Sequence, residues 1–547
     1  MELTISYFKR SLNLDEMENI IIRLVPIFLA ISLACWLFTE ITIIITSYPA
    51  DPFHYLRQLP ILFWVGFSFI PAILIIILKK RNSEKWLTVF SIVFILVCIL
   101  IIHGTHVFIY EMPRDLDTYK FIKVIEILNN GETNNINLNT GNPLYKTQFL
   151  GGPLAFSLFS QFSGIEPLTM AKYYPIFFMF ILCLTIFFVA LQISLKIYAL
   201  LAPLFVISSF WIGQDHISPL SYAILLTVCW LFLFIFLLKH SRYFFETQIM
   251  LLIIWAAICM THPTIAIFNL ICLFIIVVFQ LLNIKFCRSF IIKKIASSFL
   301  LYFVFFLIYL LFESKFIISR CIETLKAIFE NIIMGDTVSL VQRNVVNPHP
   351  FYLQTYYIRM LTLIILGVIT LFILFYLWRN RHSIQCERIL VLVSFLLGYF
   401  CIGIFLVGSG YNSYGSDRAF ILLLIPLSIV FCLSLTLLEG SKKNKLGKII
   451  FNLLILTLIL LIVLMPLNKH CGDPYDFVSS SEAAGIKFKQ YYPSVRNDLY
   501  PTDELTVTNI AYNRLTLTAQ LGDEYLNEFQ YSNYNCNYDS GNYQIYI

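Results

Sequence analysis

Between residues 22 and 465 the chain is a succession of apolar runs, most of them about as long as a bilayer crossing and separated by polar breaks. A helix needs roughly 20 apolar residues to traverse the hydrocarbon core, where only backbone that satisfies its own polar groups is tolerated. About thirteen such runs are legible, at 22–46, 60–78, 87–110, 174–193, 197–210, 219–238, 249–261, 264–282, 295–312, 358–378, 389–407, 419–438 and 449–465. Composition agrees: of 547 residues 59 % are hydrophobic and 13 % charged, and the mean hydropathy is +0.79, a balance outside that of ordinary water-soluble domains. The expected fold class is an all-α polytopic membrane protein with about 13 transmembrane helices.

The net charge of +6 does not point to nucleic acid, because the basic residues gather in short breaks between apolar runs and line no single surface. Short cytoplasmic connections are enriched in Lys and Arg. With Lys9 and Arg10 inside, every even-numbered connection should be basic, and each is: Lys79, Lys80, Arg81 and Lys85 in the first, Lys196 in the second, and so on to Lys442, Lys443, Lys445 and Lys448 in the last. An odd number of crossings follows, with a cytoplasmic segment 1–20, a membrane domain 21–466 and an extracytoplasmic C-terminal domain 467–547. The N-terminal stretch is too long and mixed for a cleavable signal peptide, so the first run is expected to remain as a membrane helix.

This arrangement puts the unusual polar motifs on one face of the membrane: DPFHYL at 51–56, the long loop 111–173, WIGQDHISP at 211–219, THPT at 261–264, the loop 313–357 and SGYNSYGSDR at 409–418. Seven of the nine histidines, His54, His103, His106, His216, His262, His349 and His470, fall near that face. A shared extracytoplasmic cavity explains this convergence; contact with water and headgroups is the plainer alternative. In the loop, DTYKFIKVIEIL repeats apolar residues at helical spacing, which reads as a helix along the interface, and PLAFSLFSQFSGIEPLTM reads as an interfacial or re-entrant helix. Glu40, inside the first run, is either a functional intramembrane acid or hydrated near the outer interface.

The tail after Met465 is polar and Tyr-rich: SSSEAAGIKF looks like a capped helix, while ELTVTNIAYNRLTLTAQLG and NYQIYI alternate like strands, so a small α+β domain is expected. Most of the 13 cysteines sit in apolar runs as small hydrophobes, whereas Cys471 and Cys536 lie in the tail, where a disulfide is one possibility in an oxidising compartment. No CxxC or HExxH pattern supports a zinc site.

Asp115 and Asp117 stand just past the mouth of the third run. A carboxylate in a partly dry cavity can orient or deprotonate a hydroxyl nucleophile, and an Asp-x-Asp pair can also hold a divalent cation. Arg418 opens an apolar run, where a guanidinium can grip a phosphate or serve as an interfacial anchor paired with Asp417. His262 before Pro263 can donate to a phosphate or sugar hydroxyl, or simply satisfy the helix break. Asp215 and His216 can bind substrate or shape a turn.

Several pieces in order, DPFHYLRQLPILFWVGF, RDLDTYKFIKVIEILNNGE, GGPLAFSLFSQFSGIEPLTMAKYYP, WIGQDHISPLSYAILL, MTHPTIA, YGSDRAFILLLIPL, SSSEAAGIKF and YDSGNYQIYI, together resemble the GT-C fold glycosyltransferase superfamily, most closely its prokaryotic multi-spanning branch. The resemblance implies transfer of a sugar from a polyprenyl-phosphate donor to an acceptor (glycan, lipid or protein) on the extracytoplasmic side. By position it implies Asp117 as the catalytic acid or base with Asp115 beside it, and Asp215, His216, His262, Asp417 and Arg418 as binding positions. The N-terminal helical hairpin is additional, and the missing WWDYG-type signature argues against transfer of a whole oligosaccharide to protein Asn. No cofactor is implied beyond that possible cation. A transporter or flippase for a lipid-linked or small solute, and a non-catalytic membrane subunit, are the competing readings; transport calls for ionisable groups near the bilayer midplane and broken helices.

Overall fold

The computed structural model describes residues 14–43, 54–79, 86–114, 116–131, 150–210, 215–239, 244–281, 290–313, 322, 326, 350–379, 387–408, 413–440, 445–470, 536–539 and 544–546. The chain is a multi-pass membrane protein: ten helices among the described residues are long and apolar enough to cross a membrane. The shorter apolar helices Lys196–Ser209, Pro263–Phe279 and Ser298–Leu311 occupy the remaining runs, so each of the thirteen apolar runs holds a helix.

In chain order, α1 (Leu14–Thr42), the short α2 (His54–Gln58) and α3 (Ile61–Lys79) form the N-terminal hairpin. The third run is α4 (Trp86–Ile99), a π-helical turn at Leu100–Gly104 and α5 (Thr105–Ile109). The loop contributes α6 (Leu116–Asn129) and α7 (Gly151–Ser163) before α8 (Pro167–Leu191), α9 (Lys196–Ala199) and α10 (Leu201–Ser209). Next come α11 (Pro219–Lys239), α12 (Phe244–Thr261), α13 (Pro263–Leu281) and α14 (Phe290–Glu313). The bundle closes with α15 (Pro350–Arg379), α16 (Glu387–Gly408), α17 (Ser413–Gly440) and α18 (Lys445–His470). In the tail, β1 (Cys536–Asp539) and β2 (Gln544–Tyr546), within the closing NYQIYI, pair antiparallel. The expected helix near Ser480, the alternating stretch 504–522 and Cys471 lie outside the described residues.

Several helices begin before their apolar runs, and one run is interrupted. α1 starts at Leu14 instead of 22. α8 starts at Pro167 instead of 174, with proline in its first turn, so the helix runs past the apolar stretch by two turns. The third run is not one regular helix, because the π-turn interrupts it.

All nine residues of α10 are buried, packed against α4, α8, α17 and α18. A helix that is apolar on every side belongs inside a bundle. At 1.5 Å per residue the segment Lys196–Ser209 is about 21 Å long, short of the roughly 30 Å core. Further on, ahead of the next helix, comes a recessed turn in which Asp215, His216, Ile217 and Ser218 are all buried.

Elsewhere the helices meet through small residues and interhelical hydrogen bonds, the usual glue where burial against lipid supplies no drive. The Ser32 hydroxyl on α1 donates to the Gly66 carbonyl on α3 at 2.7 Å, and a Cβ at Gly66 would lie 2.7 Å from that of Cys35. Tyr399 on α16 donates to the Asn269 amide oxygen on α13 at 2.5 Å, while the Asn269 amide nitrogen donates to Thr227 on α11 at 3.3 Å. Cys35, Cys98, Cys183, Cys259, Cys272 and Cys432 are unpaired and buried, as small hydrophobes. Both carboxyl oxygens of Glu40 are buried, near Trp36 and Thr105.

Candidate functional site

The recessed turn ends in a local device that its own sequence dictates. In Ser218-Pro219-Leu220-Ser221 the Ser218 hydroxyl accepts from the Ser221 N–H at 3.1 Å, and the Ser221 hydroxyl accepts from the Ser218 N–H at 3.2 Å. This reciprocal cap, with proline at the first helical position, starts α11 abruptly. The Tyr174 hydroxyl on α8 shares a 3.1 Å hydrogen bond with Ser221, fixing the turn to the neighbouring helix. Asp215 therefore sits just ahead of a helix N-terminus, where the dipole favours an anion.

Opposite it comes the end of α18. The Lys469 ammonium, itself buried, donates to Asp215 Oδ2. Arg114 Nη2 donates to the Lys469 carbonyl at 3.2 Å, and Arg359 donates to the Asn468 carbonyl through Nε at 3.3 Å and Nη2 at 3.2 Å. Two guanidiniums thus serve carbonyls in the last described turn of α18. Burial alone would raise the Asp215 carboxyl, but the adjoining Lys469 charge and His103 outweigh it and hold the group well below the usual carboxylate range.

His103 completes the group from the π-turn of the third run. Its Nε2 lies 3.0 Å from the Ile207 carbonyl near the end of α10, and a carbonyl only accepts, so Nε2 carries a proton. Nδ1 then faces Asp215 Oδ2 at 3.6 Å and is the ring atom at which a further proton enters or leaves. The π-turn is stapled to α1, with Trp36 Nε1 donating to Thr105 Oγ1 at 3.0 Å and that hydroxyl donating to the Ile101 carbonyl at 2.7 Å. Such turns recur inside helices at functional sites. His106 lies buried one helical turn further on, within electrostatic reach of Arg114, Lys469, Asp215 and His103.

The loop motifs close over the same end of the bundle. A Cβ on Gly151 would stand 2.8 Å from Thr261 Oγ1 and 3.1 Å from the Met260 carbonyl, and one on Gly152 would stand 3.2 Å from Pro219 Cα. The glycine pair therefore wedges the start of α7 between the Asp215 turn and the Thr261-His262-Pro263 corner, a close approach that larger residues do not permit. Burial and the neighbouring Arg418 guanidinium hold His262 well below the usual imidazole range, so it is neutral. The Asp215 turn, the His262 corner, Arg418 and the end of α18 thus share one end of the bundle.

Asp117 lies in the first turn of α6, which packs on α7 and α8. Asp417 lies in the first turns of α17, just before Arg418, and His216 is buried beside Asp215. The side chains of Asp117 and Asp417, and all of Asp115, lie outside the described residues, as does the stretch 211–214. Among the described residues no three His, Cys, Asp or Glu groups gather as a metal site, and Asp115 and Asp117 fall outside that search. Neither Lys469 nor Arg114 has a role legible in the sequence, and His103 and His106 are legible there only as two polar residues near one face. The spacing of those two histidines, one helical turn apart at the end of an apolar run, was the signal available. No protein-family model matches the chain, and no curated protein is significantly similar to it.

Proposed function

We propose that the chain is a membrane glycosyltransferase-like enzyme of the GT-C kind, moving a sugar from a polyprenyl-phosphate donor to an acceptor on the extracytoplasmic side. The observation that supports this most is the group of Asp215, Lys469 and His103 beneath an acid-bearing loop, with Arg114 and Arg418 at the same end of the bundle. Guanidinium and ammonium groups in a partly dry site suit a lipid phosphate, whose charge grows as it leaves. In this reading the acceptor oxygen bonds to the anomeric carbon as the carbon's bond to the phosphate oxygen breaks, and Asp117 takes the hydroxyl proton. His262, uncharged, donates a hydrogen bond instead of adding a cation.

Asp117→Asn is expected to lower transfer from a radiolabelled polyprenyl-phosphate sugar by at least about 100-fold, the scale of general-base catalysis, with protein yield and elution profile unchanged. Transfer at the wild-type rate would remove the assignment.

The transporter reading is favoured by one specific feature: ionisable His103 on a broken helix, facing a buried Asp215. Solute uptake into sealed proteoliposomes with no sugar transfer would establish that reading instead.

A further inference from the structure

Helix α1 carries an acid that the group around Asp215 does not use. Glu40 stands just before the end of α1 at Thr42, and both its carboxyl oxygens are buried without receiving a hydrogen bond. The two donors beside it, the Trp36 indole and the Thr105 hydroxyl, are engaged elsewhere. Trp36 Nε1 donates to Thr105 Oγ1 at 3.0 Å, and that hydroxyl donates to the Ile101 carbonyl at 2.7 Å. A carboxylate buried with no donor is far costlier than a carboxylic acid in the same place, so this arrangement belongs to the neutral acid.

The helices packed on α1 are α3, α4 and α5. Of these, α3 carries a charged residue only in Lys79, at the end away from Glu40, and α4 carries none. The π-turn and α5 bring His103 and His106, and the short α2 between α1 and α3 brings His54 and the exposed Arg57. Once ionised, Glu40 becomes the strongest acceptor beside Trp36 and Thr105, because a charged acceptor makes a shorter and stronger hydrogen bond than a hydroxyl or a carbonyl. Both donors then leave their present partners, and the Ile101 carbonyl loses its hydroxyl. Ile101 lies in the same turn as His103, whose Nδ1 faces Asp215 Oδ2 at 3.6 Å and whose Nε2 donates to the Ile207 carbonyl at 3.0 Å. Two hydrogen bonds therefore connect the proton on Glu40 to the turn that aims the His103 ring.

We propose that Glu40 is a proton-operated latch on the π-turn: as the neutral acid it leaves the Trp36–Thr105–Ile101 chain closed and His103 aimed at Asp215, and on losing its proton to water it takes both donors and frees the turn. The latch gives the N-terminal hairpin a task, control of the Asp215 group by pH, and it is independent of the reaction or transport that the group performs.

Hydrogen–deuterium exchange of the full chain in detergent, parent against Glu40→Gln at the same pH, tests it, because glutamine keeps the size of the acid and cannot ionise. The peptide covering 99–106 is expected to exchange equally in the two proteins at about pH 6 and at least about tenfold faster in the parent at about pH 10, as local opening of the turn gives. Equal rates at both pH values, or a faster rate in Glu40→Gln, overturn the proposal. Because the variant can fail to fold, the parent alone supplies a second reading. Its exchange over 99–106, divided by that over 392–402 in α16, is expected to rise across the same interval, and a constant ratio overturns the proposal.

Discussion

Replacing Lys469 by methionine is expected to lower stability by about 3–5 kcal/mol, because it leaves the Asp215 carboxylate buried without its ammonium partner. The full chain in detergent, unfolded by SDS titration, is the measurement. Asp215→Asn in the same chain should recover most of the loss, since a neutral amide carries a far smaller burial penalty than a stranded charge. A double-variant loss equal to the sum of the Lys469→Met and Asp215→Asn losses would mean that the two groups act independently.

The pH dependence of the two proteins should have opposite sign. In the parent chain the folded Asp215 sits below the unfolded carboxylate value of about 4, so its stabilisation is complete above that pH and is lost only as acid takes the medium down through the folded value. In Lys469→Met, burial is no longer offset, the folded carboxyl rises above the unfolded value, and the variant gains stability as pH falls toward about 4. Parallel profiles between pH 7 and 5 would contradict the pairing.

Gly151→Val should disturb the site without touching any charge. The added Cβ meets Thr261 Oγ1 at 2.8 Å and the Met260 backbone at 3.1 Å, and neither can swing away as the end of a long side chain would. Overpacking of this kind costs about 1–3 kcal/mol, and relief requires either α7 or the His262 corner to move. Thr261→Gly in addition removes only the hydroxyl contact, so it should restore part of the loss. Stability equal to the parent's in Gly151→Val would mean that α7 does not approach this corner so closely.

Much of this architecture could be read from residue order, for a physical reason. Hydrocarbon imposes long apolar helices, and the breaks between them are polar, so runs such as 219–238 and 389–407 need no tertiary information. The corner at His262-Pro263 and the sharp start at Ser218-Pro219 were visible for a similar reason, because proline punctuates helices locally. The pairing of Asp215 with Lys469 was not visible, since the partners stand 254 positions apart and neither leaves a periodic trace. Leu100 to Gly104 looked like ordinary apolar helix, and its π-turn depends on contacts with α1 and α10 that no local pattern encodes. The helix Leu116–Asn129 was expected to rest on the membrane, but Phe121, Ile122, Val124, Ile125 and Ile127 are buried, against α7 and α8 among others. A helical apolar stripe records that something apolar lies opposite and does not say whether it is lipid or protein.

The site is built on the meeting of the glycine end of α7 with the turn that carries Asp215. A Cβ on Gly152 would lie 3.7 Å from Pro219 Cβ, within the spacing of about 3.5–4.5 Å that a disulfide requires. Gly152→Cys combined with Pro219→Cys, oxidised mildly in native membranes and mapped by peptide mass spectrometry, is therefore expected to yield a 152–219 disulfide. Both thiols remaining free to alkylation under those conditions would contradict the convergence on which the site is built.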